Sequence, residues 1–124
     1  MKILIVEDEE VLAKVLEEKF LDEKFDAQTV SDGKKVLAAI KNFRPDVVLL
    51  DLLLPGKTGL EILADLKETK ILETLPVIVL SNLDDDVSIK KALSLGAVDY
   101  FVKAQHPIGE VVEKVKEHLG KPKV

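Results

Sequence analysis

The sequence predicts an α/β protein built on a parallel sheet with helices on both faces, and three observations predict it. Apolar runs of four to six residues alternate with helix-period segments about five times along 124 residues, the pattern of repeated β-α units joined by right-handed crossovers. Two of the runs, Val47–Leu50 and Val77–Leu80, are apolar at consecutive positions, as strands covered on both sides require. Four runs also end in a reactive side chain: Ile3–Val6 in Glu7 and Asp8, Val47–Leu50 in Asp51, Val77–Leu80 in Ser81, and Tyr100–Val102 in Lys103. In an open parallel sheet the carboxyl ends of the strands share one edge, where ligands bind. Three carboxylates, a hydroxyl and an ammonium are therefore expected to converge there. Such a set suits a divalent cation and a phosphoryl group.

The elements follow in order. After the first strand a helix is expected over roughly residues 9–22, with Leu12, Val15, Leu16 and Phe20 on one face. The second strand, near Asp26–Val30, is interrupted by Asp26 and Gln28 and reads as an edge strand. A second helix near 33–42 presents Val36, Leu37 and Ile40. Beyond the third strand, Leu54-Pro55-Gly56-Lys57-Thr58-Gly59 are turn formers that lead into a third helix near 58–68. Its stripe is Leu60, Leu63 and Leu66. Asp84-Asp85-Asp86 opens a fourth helix, since acidic residues suit a first turn and an Asp suits its cap. Ile89, Ala92 and Leu93 are its expected inner face, and Gly96 ends it. Pro107 is expected at the first position of a fifth helix striped by Ile108, Val111, Val112, Val115 and Leu119. Residues 121–124 read as a short polar tail.

Composition narrows the function. An apolar fraction of 47% with 33% charged residues is that of a globular protein with a core of Val, Ile, Leu and Ala. The net charge of −5 argues against direct nucleic-acid binding by this domain. With no cysteine, disulfides, thiolate metal sites and cysteine nucleophiles are excluded. No stretch approaches the roughly 20 apolar residues of a membrane span, and a cytoplasmic location is the default expectation.

Each motif has a plainer reading beside the chemical one. Glu7 and Asp8 could simply cap the first helix. However, Glu7-Asp8-Glu9-Glu10 stands in the loop that many α/β folds fill with phosphate-cradling glycines. Four carboxylates there repel a phosphate unless a cation intervenes, and Mg²⁺, or Mn²⁺ in its place, is the simplest relief. Asp51 could bond nearby loop amides, or act as a nucleophile that accepts phosphoryl as an acyl phosphate. Alone it favours neither. Ser81 is a turn residue or a donor to a phosphoryl oxygen; Lys103 is a solvated lysine or the cation that neutralises that oxygen. Tyr100 reads as a strand aromatic packed on the neighbouring helices. His106 reads as a loop residue and His118 as a helix-end residue favoured by the dipole.

Taken together, Glu7-Asp8, Asp51 with Leu54-Pro55-Gly56 and Gly59, Ser81, Gly96-Ala97-Val98-Asp99-Tyr100 and Lys103 resemble the receiver domains of two-component response regulators, chemotaxis-type receivers included. The resemblance covers essentially the whole chain, with residues 1–120 as the receiver domain. It implies a flavodoxin-like (βα)5 fold with strand order 2-1-3-4-5, so that Asp8 and Asp51 lie side by side. It further implies that Asp51 is the phosphoacceptor, supplied by a sensor histidine kinase or phosphotransfer protein. Mg²⁺ would be ligated by Asp8, Asp51 and the Leu53 carbonyl, with Glu7 acting through water. Lys103 would pair with the phosphoryl group, Ser81 would swing toward it, and Tyr100 would turn inward as the coupled switch. The implied output surface is the fourth helix, fifth strand and fifth helix, with Lys90, Lys91, Asp99 and Glu113, and a homodimer could form there. The chain would not be an enzyme beyond its own phosphorylation and dephosphorylation.

Three positions depart from the family pattern. Ala104 stands where members usually carry a cis proline, which leaves the geometry of that loop open. Asn82 follows Ser81 where a very small residue is usual. Leu53 and Leu83 occupy positions that tune acyl-phosphate hydrolysis in the family, and neither can orient water, so a long-lived phosphoaspartate is expected. A phosphohydrolase resembling the haloacid dehalogenase family is the enzyme alternative, but it needs an Asp at Leu53. A flavin module would need Ser, Thr and Gly in place of Glu7–Glu10. A receiver-like scaffold that is never phosphorylated is the remaining alternative.

Overall fold

The computed structural model describes residues 1–120; the tail expected at 121–124 lies outside the described residues. Five strands, β1 (Lys2–Val6), β2 (Asp26–Val30), β3 (Val47–Leu50), β4 (Val77–Ser81) and β5 (Asp99–Val102), form one parallel sheet in the order β2-β1-β3-β4-β5. Five α-helices connect or follow them: α1 (Glu10–Asp22), α2 (Val36–Phe43), α3 (Gly59–Glu68), α4 (Asp86–Ser94) and α5 (Ile108–Gly120). This is the expected architecture, with the polar strand β2 at an edge.

Every residue of β3 and β4 is buried, which is why they carry no polar alternation. The sheet separates two apolar cores. On one face Ile3, Ile5, Val47, Leu49, Ile78, Leu80 and Phe101 meet Leu16 and Phe20 of α1 and Val111, Val112 and Val115 of α5. On the other, Leu4, Val6, Val48, Leu50, Val77 and Val79 meet Val36 and Ile40 of α2, Ile62, Leu63 and Leu66 of α3, and Ala92 of α4.

The expected helix faces shift in places. In α3 Ile62 is buried and Leu60 only half-buried, and in α4 Ala92 is buried whereas Leu93 is 44% exposed. The α4 helix packs on the edge strand β5 and on α3, so a narrow stripe suffices and Leu93 falls outside it. Gly96, at φ +117°, follows that helix as expected. Pro107 sits one position before α5, its carbonyl accepting from Glu110 and Val111. A one-turn 3-10 segment, Gly33–Lys35, precedes α2 where the sequence suggests continuous helix.

Candidate functional site

The register of the central strands sets the site. Val6 lies opposite Leu50, and Leu50 opposite Val79, so β1 and β3 end at one level and β4 runs two residues further, to Ser81. The ladder continues a residue further: Asp51 N donates to Val6 O at 3.0 Å, Glu7 N to Val30 O at 3.0 Å, and Lys103 N to Ser81 O at 2.9 Å. Those backbone bonds fix where four site side chains begin.

Lys103 joins the far ends. Its Nζ lies 2.8 Å from Asp51 Oδ2, 2.7 Å from Glu7 Oε1 and 3.7 Å from Glu9 Oε2. Glu7 and Asp51 are almost fully buried, at 3% and 4% exposure, while Asp8 faces solvent. Each of Glu7, Asp8 and Asp51 offers a carboxylate oxygen within 4.8 Å of the others'. Three hard oxygen ligands converging at a cleft fit Mg²⁺ or Mn²⁺, so the residues present suit the cation the sequence implies.

Burial raises the Glu7 carboxyl above its ordinary pKa, more than its bonds from Lys103 and the Glu9 amide lower it. Burial also works to depress the Lys103 ammonium, but its bonds to Asp51 and Glu7 outweigh that and hold it above its ordinary value. The carboxylates therefore keep the lysine charged.

The loop after Asp51 is tied down locally. Leu53 N donates to Asp51 Oδ1 at 3.1 Å, which leaves Oδ2 to the lysine. A Cβ on Gly59 would stand 2.5 Å from the Asp51 carbonyl and 2.6 Å from Leu52 Cα, so α3 can start against Asp51 only with glycine there. Thr58 and Glu61 close a capping box at that helix start, and Lys57 pairs with Asp65.

Ser81 is fully buried, and its Oγ accepts from Leu83 N at 3.3 Å. Tyr100 is half-buried, its hydroxyl donating to Leu83 O at 2.6 Å. Burial, then the Asp85 carboxylate, raises that phenol above its ordinary pKa. Ser81 and Tyr100 thus share the segment around Leu83. The Leu53 side chain is 52% exposed. All described peptide bonds are trans, Lys103–Ala104 included.

Glu9 and His118 make contacts that the sequence reading did not include. Glu9 sits near Lys103 as well as donating its amide to Glu7; the run of four acids hints at it. His118 Nε2 lies 2.9 Å from Asp99 Oδ2, a pairing across 19 residues with no local signal.

Comparison with known proteins agrees with this geometry. A model of the response regulator receiver domain matches residues 3–116. The chain is 36% identical over 118 residues to the DNA-binding response regulator MtrA of Mycobacterium tuberculosis, covering 95% of this chain and 50% of that protein. It thus spans about half the length of that relative. Among solved structures, the BeF3-activated N-terminal receiver domain of Klebsiella pneumoniae RstA superposes with a TM-score of 0.89 at 29% identity, covering 98% of this chain and 100% of that one. The phosphorylated cyanobacterial phytochrome response regulator RcpA gives 0.84 at 27% identity, covering 99% and 96%. The chain belongs to the response regulator receiver family, domains of phosphorylation-dependent signal transduction.

Proposed function

We propose that Asp51 is the phosphoacceptor of this receiver and that Lys103, Ser81, Asp8 and Glu7 serve the transfer. The observation that carries this reading is the Lys103 ammonium 2.8 Å from Asp51 Oδ2, inside a cluster of three carboxylates. One Asp51 oxygen attacks phosphorus as the P–N bond of a phosphohistidine breaks, giving an acyl phosphate on the protein. Lys103 moves its pairing from the carboxylate to the new phosphoryl oxygens, and Ser81 Oγ donates to one of them. Asp8, Asp51 and the Leu53 carbonyl would hold Mg²⁺, or Mn²⁺, with Glu7 assisting through water. The cation, when bound, offsets the charge gathered there.

The phosphodonor is a sensor histidine kinase or a phosphotransfer protein, and the chain catalyses nothing beyond its own phosphorylation and dephosphorylation. Residues 1–120 form the receiver unit, in a cytoplasmic protein. The output face is α4, β5 and α5, with Lys90, Lys91, Asp99 and Glu113, through which an output partner or a second copy binds. Support for α4 as the moving part is its shallow seat: Ala92 is its one buried residue, and Val87 is 75% exposed. The DNA binding named for MtrA is not extended to this chain, whose net charge is −5.

Incubating wild type and Asp51→Asn with a small phosphodonor and Mg²⁺, then weighing both intact, tests the assignment. A single phosphate-sized gain confined to wild type is expected. An equal gain in both proteins, or none in either, contradicts it.

A further inference from the structure

The loop that carries Lys103 lacks the proline usual in the family, and something else must hold it. Its first residue is fixed by the bond from Lys103 N to Ser81 O at 2.9 Å. Beyond that, Ala104, Gln105 and Pro107 are exposed, and within residues 104–107 His106 alone is not. The amides of Gln105 and His106 both donate to Val102 O, at 3.0 and 3.1 Å, which curls the loop back over the end of β5. The imidazole then makes contacts on two sides. It stands edge-on to Phe101, with ring centroids 5.2 Å apart and planes 80° apart, in the aromatic geometry that the ring quadrupoles favour. Its Nδ1 lies 3.2 Å from Glu110 Oε1 in the first turn of α5.

Phe101 itself is buried in the core between the sheet, α1 and α5. The His106 ring therefore ties an otherwise solvent-facing loop to a fixed strand below and a fixed helix beyond. The tightness of the lysine's task makes this matter. Lys103 Nζ meets Asp51 at 2.8 Å and Glu7 at 2.7 Å at once, an arrangement sensitive to where the loop holds the lysine.

We propose that His106, stacked on Phe101 and paired with Glu110, is the positioning residue that holds the Lys103 ammonium against Asp51. The proposal rests on the reading of Asp51 as phosphoacceptor. His106 touches no reacting atom; it acts through Lys103. The ring packing is the larger part of the role, so an aromatic replacement that keeps the stack preserves it.

The test compares wild type, His106→Ala and His106→Phe as intact chains. Three readouts are taken: phosphorylation rate with a small phosphodonor, Mg²⁺ affinity, and the proton–nitrogen NMR signal of the Lys103 ammonium, assigned with Lys103→Met. His106 is a loop residue, and far-UV circular dichroism checks that each variant folds. In His106→Ala the maximal rate falls about tenfold to a hundredfold, the range a misplacement near 1 Å produces. Mg²⁺ affinity stays within about twofold, since His106 adjoins no carboxylate of the cluster, and the ammonium signal broadens or vanishes. His106→Phe restores both rate and signal to within about threefold of wild type. A His106→Ala protein with wild-type rate and an unchanged ammonium signal overturns the proposal. So does a His106→Phe protein as impaired as the alanine variant. If wild type takes no phosphoryl group, the reading of Asp51 fails, and the ammonium signal still decides the role of His106.

Discussion

Lys103 is the cation shared by two buried carboxylates, and removing it exposes what each contributes. In Lys103→Met, Glu7 and Asp51 face each other with no ammonium between them, and a hydrogen bond to a charged group contributes about 1.5–3 kcal/mol. Urea denaturation in metal-free buffer at neutral pH is expected to show a loss of that order, largely recovered on adding Mg²⁺. No loss would mean that the ammonium's contacts with Asp51 and Glu7 contribute little to stability. The pH dependence separates the two partners. Glu7 has a native pKa raised above its ordinary 4.5, so between those values the native state binds more protons than the unfolded one. Its contribution to stability therefore falls as pH rises through that window. Lys103 is likewise raised, above its ordinary 10.5, so its stabilisation is complete below that value and is lost as pH rises through the native pKa. Glu7→Gln removes the acidic slope: from pH 4 toward 7 in metal-free buffer the wild type should lose stability relative to the variant. A relative gain would contradict the sign.

The helices end in a way that gives an independent test of backbone strain. Lys24, Arg44 and Lys70 follow or cap the ends of α1, α2 and α3 with φ of 67°, 54° and 64°, the left-handed region that favours glycine. All three are cationic, and a positive charge at a helix C-terminus is favoured by the dipole. Replacing any one with Gly relieves the left-handed strain, partly offset by glycine's greater unfolded-state freedom, for a net gain of up to about 1 kcal/mol. Thermal melts should show a raised Tm for each, and a lowered Tm would mean the charge outweighs the conformation. Element types and order were readable because short apolar runs alternate with helix-period segments along the chain. The polar interruptions at Asp26 and Gln28 even placed β2 at an edge. The inner faces of α3 and α4 were less legible, since Leu60 and Leu93 fit the 3.6-residue pattern as well as the residues that are buried. Which stripe turns inward depends on how far the helix overlaps the sheet, which no local window records.

Across the whole molecule, a charge change at Asp51 has to reach α4 and β5 for the proposed switch to work. Phosphorylation adds about −1.5 to −2 charge, and near-complete switching needs about 5.5 kcal/mol of differential interaction. The Tyr100 hydroxyl on Leu83 O, and Ser81 Oγ accepting from Leu83 N, join the site to the segment before α4. The gathering of Glu7, Asp8, Asp51 and Lys103 at one place was legible because parallel strands deliver their carboxyl ends to one edge. The His118–Asp99 contact was not, since it spans 19 residues and depends on α5 packing beside β5; the His106 contacts with Phe101 and Glu110 are near in sequence but depend on how the loop between β5 and α5 curls. Leu53 is 52% exposed and Leu83 half-buried, and neither offers a donor or acceptor to orient an attacking water. A phosphoaspartate lifetime of minutes or longer in Mg²⁺ buffer is expected, shortened about tenfold or more in Leu53→Asn; decay of the wild type within seconds contradicts this. The most direct test of the site is chemical: phosphorylate the protein with Mg²⁺ present, reduce the acyl phosphate with borohydride, and map the resulting homoserine by peptide mass spectrometry. Homoserine at position 51, absent when EDTA replaces Mg²⁺, is the predicted result. Homoserine at another aspartate, or the same yield at 51 without the cation, would contradict the account.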